Sequence, residues 1–250
     1  MLCVGKTDVG RKRKNNQDSF KIYSSRQYTA AVVCDGMGGA KGGSVASSLA
    51  SGTFMKSLKS ALAKINFETI TSGDLERILI NAFDDANRAV FDRASMDTDL
   101  EGMGTTFVAF VCTEAETMVI NVGDSRLYAI VNGKMNQITK DHSFVQYLID
   151  NEQITIEQAK NHPNKNIILR AVGVNDYVEC DVFRLKNYDM LLLCTDGLTN
   201  MVDDQKIESI LANDGNFNTK ENILLDIANE NGGVDNITVV IFCRKDCINE

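Results

Sequence analysis

The chain of 250 residues is long enough to bury a sizeable core, as one large domain or two small ones, and its 44% apolar content is that of an ordinary globular protein. Its net charge of −8 argues against nucleic acid as a partner, and no apolar run reaches the ~18–20 residues that a membrane span needs. Residues 1–10 lack the apolar core of a signal peptide and no apolar segment precedes Cys3, so the expected location is the cytoplasm.

Residues 2–7 and 19–23 read as short strands on either side of the stretch 10–18, in which Arg11, Lys12, Arg13 and Lys14 precede Asp18. A solvated charged loop accounts for this pattern. The alternative is that the strand beginning beside Asp18 fixes its position, with Arg13 offering a bidentate contact to a phosphate. The apolar run 30–34 reads as a buried strand that breaks at Asp35, followed by Gly36, Gly38 and Gly39 around Met37. Such a turn either ends in solvent or lets backbone approach an ion or a phosphate closely, because glycine has no Cβ.

Apolar spacing predicts a helix over 43–63, carrying Val45, Leu49, Phe54, Leu58 and Leu62, and a second over 75–94 with Ser72 as its N-cap. Segments 105–112, 117–122, 126–131 and 134–138 read as strands. The last two are joined through Asn132-Gly133, a type I′ hairpin signal, and connections this short predict an antiparallel meander. Residues 141–175 are polar, hold both histidines and the single proline, Pro163, and contain a capping box at Thr155 and Gln158; they read as an inserted, mobile lid. Strands at 178–185, 189–194 and 237–243 and helices over 203–212 and 219–230 complete the chain. Without internal repeat or linker, one domain is expected, an antiparallel sheet with helices outside it.

The seven cysteines lie mostly within apolar runs and include no Cys-x-x-Cys pair, which favours buried thiols of a reducing compartment over disulfides or a thiolate zinc site. Asp35, Asp124, Asp196 and Asp235 each stand at the end of an apolar run, and this recurrence predicts one shared acidic site. Hard oxygen donors without Cys or His suit Mg²⁺ or Mn²⁺. Two such cations lower the pKa of a bridging water from about 15.7 towards neutrality, giving a hydroxide for in-line attack on phosphorus. Arg13 would then clamp the phosphate oxygens, and the Gly36 carbonyl would face a metal.

Arg13-x-x-Asn16-x-Asp18, Asp35-Gly36-Met37-Gly38-Gly39, Gly102-Met103-Gly104-Thr105-Thr106, Val122-Gly123-Asp124-Ser125-Arg126, Thr195-Asp196-Gly197-Leu198 and Asp235-Asn236-Ile237-Thr238-Val239 follow one another in this order. The set resembles the bacterial PPM family, the type 2C metal-dependent Ser/Thr protein phosphatases, over residues 7–242. The resemblance implies an α+β fold: a four-layer αββα sandwich, two antiparallel β-sheets flanked by helices, in a single domain spanning 1–250 with a small flap at about 141–175. It implies two or three Mn²⁺ or Mg²⁺ ions. Asp35, Asp196 and Asp235 would hold the first. Asp35, which bridges the two, would hold the second with the Gly36 carbonyl, and Asp18 would act on it through water. Asp124 with Asp196 would form a third site, and Arg13 would bind phosphate.

Three positions depart from the family pattern. Gln17 stands where many members have Glu, Met37 replaces a histidine that some relatives use as general acid, and Ala40 falls where many bacterial members have another histidine. Leaving-group protonation is therefore unassigned; His142 in the flap is one candidate, with a helix-capping or hydrogen-bonding role as its alternative. The implied substrates are proteins carrying phosphoserine or phosphothreonine, with a Ser/Thr kinase as counterpart, and the expected state is a monomer. Two other readings stand beside this one: an inactive binding module, motivated by the three departures, and a phosphatase dedicated to an anti-sigma-factor antagonist.

Overall fold

The computed structural model describes residues 1–213 and 215–244, with Ala40 by its backbone alone; Cys247 lies outside the described residues. The strands are β1 (Leu2–Asp8), β2 (Asp18–Ser24), β3 (Tyr28–Met37), β4 (Gly104–Thr105), β5 (Phe107–Thr113), β6 (Thr117–Val122), β7 (Arg126–Val131), β8 (Lys134–Gln137), β9 (Asp181–Leu185), β10 (Met190–Cys194) and β11 (Ile237–Cys243). The helices are α1 (Gly39–Leu62), α2 (Ser72–Ser95), α3 (Phe144–Asp150), α4 (Ile156–Lys160), the single turn α5 (Asp196–Thr199), α6 (Asp204–Ala212) and α7 (Lys220–Glu230).

The strands form two antiparallel sheets, β1-β11-β10-β7-β8 and β2-β3-β5-β6-β9, with β4 added against the end of β3. Alternate residues of one strand serve two cores. In β3, Ala31 and Val33 meet Leu191, Leu193, Val240 and Phe242 between the sheets, while Ala30, Val32 and Cys34 face Phe54, Leu58, Leu79 and Phe83 of α1 and α2. On the far side Leu192, Val239 and Ile241 are covered by Leu198, Leu211 and Leu224 of α5, α6 and α7. With both faces buried, these antiparallel strands read as continuous apolar runs instead of alternating ones. The result is the expected four-layer αββα sandwich.

The expected meander does not form. β5 pairs with β6 and β7 with β8, but β6 and β7 lie in different sheets, and the chain crosses between them at Gly123, Asp124 and Ser125. Gly123 has φ +102°, and a Cβ there would stand 2.8 Å from Thr106, so the crossing is made where a left-handed residue packs directly on a neighbouring strand. Asn132 and Gly133 take φ values of 51° and 75°, as a type I′ hairpin requires.

β3 also continues past its expected end. Asp35 pairs with Asp18 across β2, and Gly36 and Met37 pair with Thr105 and Gly104, so the carboxylate leaves an ordered strand and not a flexible turn. The break comes at Gly38, with φ +114°, and α1 begins at Gly39, four residues ahead of its expected start at 43. Gly36 is demanded by close approach, since a Cβ there would stand 2.0 Å from the Gly43 carbonyl oxygen of α1. Likewise the N-cap of α2 is Thr71, in a capping box with Asp74, one residue before the expected Ser72.

Candidate active site

The geometry of the two sheets places five aspartates at one end of the sandwich. Asp18 opens β2 directly opposite Asp35 in β3. Asp124 sits where the chain changes sheets, Asp196 begins α5 immediately after β10, and Asp235 lies two residues before β11. Their mutual repulsion reports this convergence: Asp35 feels Asp18, Asp196, Asp124 and Asp235.

Asp18 belongs to one sheet and is gripped by the other. Its Oδ2 accepts from Thr195 Oγ1 at 2.9 Å and from Thr238 Oγ1 at 2.6 Å. Thr195 Oγ1 in turn accepts from the Thr238 amide at 3.0 Å, and Asn16 Nδ2 donates to Thr7 Oγ1, which shares a hydrogen bond with Thr238 Oγ1 at 2.7 Å. Asp35 is held through its backbone. Its amide donates to Thr106 Oγ1 at 2.9 Å, and its carbonyl accepts from Thr105 Oγ1 and the Thr106 amide at 2.8 Å each. Thr106 Oγ1 also bonds Ser125 Oγ at 2.7 Å, linking the backbone of Asp35 to the loop that carries Asp124. This double use of Thr106 explains why the expected strand 105–112 divides into β4 and β5.

Asn236 docks the basic segment onto the site. Its Nδ2 donates to the carbonyls of Val9 and Asn15, and its Oδ1 accepts from the Gln17 amide. Arg13 thereby reaches Asp235, with Nη2 donating to Oδ2 at 2.7 Å, and its side chain is 52% exposed. Gln17 Nε2 donates to the Gly39 carbonyl at the start of α1, a bond that an ionised glutamate does not make.

Burial raises the Asp18 carboxyl to about 7 against the hydrogen bonds from Thr238 and Thr195, with Asp196 and Asp235 adding to the rise. Burial together with Asp196 and Asp141 lifts Asp124 to about 7, opposed by Arg126. Burial and Asp235 lift Asp196 to about 6, opposed by Arg126 and by the Asn200 amide on its Oδ2 at 3.0 Å. Asp35 is pushed well above the carboxylate range by burial first and by its four acidic neighbours second.

Among the described residues no three Asp, Glu, His or Cys side chains stand arranged to grip one ion. The acids are turned instead to partners of their own: Asp235 to Arg13, Asp196 Oδ2 to Asn200, Asp18 Oδ2 to the threonines. The fit to a cation lies in what is left over. Asp18 Oδ1 and Asp196 Oδ1 are buried oxygens without a hydrogen-bond partner, an arrangement that costs free energy unless a cation or water completes it. The donors are oxygen only, which suits Mg²⁺ and Mn²⁺.

His142 is bound to the loop that carries Asp124. Its side chain is 9% exposed, its Nδ1 accepts from the Gly123 amide at 3.2 Å, and its Nε2 lies 3.2 Å from Asp181 Oδ2. Its own amide donates to the Gly123 carbonyl, so the residue ties the root of the 141–175 segment to the sheet crossing, in keeping with its hydrogen-bonding reading. Beside it Arg126 clamps Asp141 from two nitrogens, Nε donating to Oδ1 at 2.9 Å and to Oδ2 at 3.2 Å and Nη2 to Oδ2 at 2.7 Å. Thr195, Thr238, Thr106, Asn236 and Arg126 carry the site without having been assigned a role from sequence. The available signal was a hydroxyl, an amide or, at Arg126, a guanidinium inside or beside an otherwise apolar run.

A sandwich of this kind with an oxygen-only acidic cleft is the architecture of protein phosphatases. The fold is similar to that of the serine/threonine phosphatase Stp1 from Staphylococcus aureus, with TM-score 0.87 and 36% identity over 97% of this chain and 94% of that one. It is also similar to the catalytic domain of the serine threonine protein phosphatase PstP in complex with two manganese ions, with TM-score 0.77 and 34% identity over 96% of each chain. The serine/threonine phosphatase stp of Listeria innocua is 39% identical over 96% of this chain and 94% of its own length. Residues 7–226 match the family model for protein phosphatase 2C. The chain belongs to the protein phosphatase 2C family, the PPM phosphatases, and is a serine/threonine protein phosphatase.

Proposed function

We propose that this phosphatase depends on Mn²⁺ or Mg²⁺ and hydrolyses phosphoserine and phosphothreonine monoesters on proteins, using the aspartate cluster as its metal-binding set. The observation that carries the reading is the pair of buried, unpartnered oxygens, Asp18 Oδ1 and Asp196 Oδ1, within a cluster of acids raised by burial first and by one another second. Asp35, Asp196 and Asp235 would hold one cation, Asp35 and the Gly36 carbonyl the other, with Asp18 acting through water and Asp124 with Asp196 at a third position. What divalent cations supply there is charge neutralisation and a water acidified for attack on phosphorus.

The chain's own residues do the rest. Thr195 and Thr238 hold Asp18 Oδ2 and leave its buried Oδ1 without a hydrogen-bond partner. Thr105 and Thr106 hold the backbone of Asp35 so that its carboxylate is presented from a rigid strand. Arg13 is exposed and within reach of Asp235, and it exchanges that carboxylate for the phosphate oxygens when substrate enters. The counterpart enzyme is a Ser/Thr kinase, because such phosphomonoesters are made by phosphoryl transfer to hydroxyls, and we place the protein in the cytoplasm as a monomer.

The test is hydrolysis of p-nitrophenyl phosphate with Mn²⁺, Mg²⁺ or EDTA, alongside Asp35→Asn. Turnover that requires added cation and disappears in the variant is expected. Wild-type protein inert under every condition overturns the catalytic reading in favour of a binding module, and activity indifferent to EDTA overturns the metal reading.

A further inference from the structure

A cavity of about 310 Å³ opens at the end of β3, lined mostly by apolar side chains, Met37, Leu169, Val174 and Tyr177 among them, with Arg170 and Glu179 also on its wall. Met37 lies two residues beyond Asp35 in the same strand, so the two side chains leave the same face about 7 Å apart. The opposite wall is continuous with the site: Thr105, which pairs with Gly36, exchanges backbone hydrogen bonds of 3.0 and 2.9 Å with Val172.

That wall is also fixed. Asn87, 2% exposed in α2, donates from Nδ2 to the carbonyls of Asn175 and Asp176 at 3.1 and 3.0 Å and accepts from the Gly173 amide at 2.7 Å. A Cβ on Gly173, whose φ is +86°, would stand 2.1 Å from Val90, so the loop is seated directly on the helix. Yet it turns apolar side chains outward: Leu169 is 53% exposed, Val174 46% and Tyr177 71%. Exposed large apolar side chains are otherwise sparse. Of the nine among the described residues, six fall within residues 147–177, and three of those, Leu169, Val174 and Tyr177, line this cavity. Scattered surface apolars need no explanation, but a concentration on a pinned wall beside the reaction centre does.

We propose that this cavity is a specificity pocket for an apolar side chain of the phosphoprotein, within about three residues of the phosphorylated Ser or Thr. The proposal rests on the phosphatase reading above. An extended substrate spaces its residues by about 3.3 Å, so a phosphoryl group beside Asp35 puts a near neighbour over Met37. Such a segment arrives with its phosphate already anchored, and one buried apolar side chain adds affinity and register.

The experiment uses the full chain with Mn²⁺ and phosphothreonine peptides of alanine and serine in which one leucine is moved from three positions before the phosphothreonine to three after, with phosphate release as the readout. In wild type, leucine at one or two adjacent positions should raise kcat/KM at least ten-fold over the leucine-free peptide, mainly through KM. Val174→Asp and Leu169→Asp should each bring that ratio below two-fold; because both side chains are half exposed, one serves if the other fails to fold. A wild-type ratio below two-fold at every position, or a ratio unchanged in both folded variants, overturns the pocket. So does sedimentation showing that Val174→Asp abolishes a dimer, which would make the occupant a second copy of this chain. Wild type that fails to hydrolyse p-nitrophenyl phosphate overturns the phosphatase reading itself, a separate result.

Discussion

Asp18 is the residue in which stability and function oppose each other. Two threonine hydroxyls favour its ionised form, while burial and the neighbouring acids disfavour it, and the balance lies at about 7. Asp124 and Asp196 are raised to about 7 and about 6 in the same way. A carboxyl whose folded pKa lies above its unfolded value near 3.9 binds its proton more tightly in the folded chain. Its stabilising contribution is complete below pH 4 and is lost as pH rises towards 7. In EDTA, therefore, the thermal midpoint should fall between pH 4 and 7 more steeply in wild type than in Asp35→Asn, which removes one member of the repelling set. The variant should also match or exceed wild-type stability in EDTA at pH 7 while losing roughly 10³-fold or more in Mn²⁺-dependent turnover. A variant less stable than wild type under those conditions would show that Asp35 is structural. Thr238→Val removes the shorter bond to Asp18 and should weaken Mn²⁺ binding about 10- to 100-fold in a calorimetric titration, the usual cost of losing a hydrogen bond behind a metal ligand.

At the scale of elements, the decisive contact is between α1 and the end of β3. A Cβ on Gly43 would stand 2.6 Å from the Gly36 carbonyl oxygen and 2.8 Å from Gln17 Nε2. Gly43→Ala should therefore cost about 1–3 kcal/mol by overpacking and impair turnover, because the helix moves the Gly36 carbonyl when it moves away. Thr71→Ala is the contrast. It removes the N-cap of α2, far along the chain from the cleft, and should cost about 1 kcal/mol in denaturant unfolding while leaving kcat within two-fold. If both variants lose activity equally, the effect of Gly43→Ala is global and not local to the strand end.

Across the whole molecule the acidic cleft is assembled from both sheets. Asp18 and Asp35 come from one and Asp196 and Asp235 from the ends of strands in the other, with the threonine bonds to Asp18 joining them. Cations that bind there bind only the folded chain. At 100 times its dissociation constant, one Mn²⁺ should add about 2.7 kcal/mol and raise the thermal midpoint by about 5–10 °C. The rise should vanish in EDTA and in Asp35→Asn; a midpoint unmoved by Mn²⁺ in wild type would count against the metal site.

By itself the sequence determined the strand-rich core, the two long helices, the hairpin at Asn132-Gly133 and the identity of the acids, because periodicity, glycine chemistry and charge at strand ends are local properties. Only the tertiary structure decided which sheet each strand joins. The short connection at 123–125 looks like a hairpin from sequence, yet it crosses between sheets, since pairing is settled by partners as remote as β9 and β10 and not by connection length. The same holds for Thr195 and Thr238. Nothing in β11, or at the end of β10 where Thr195 follows the strand, marks these hydroxyls out until the second sheet brings Asp18 within 2.9 and 2.6 Å of them.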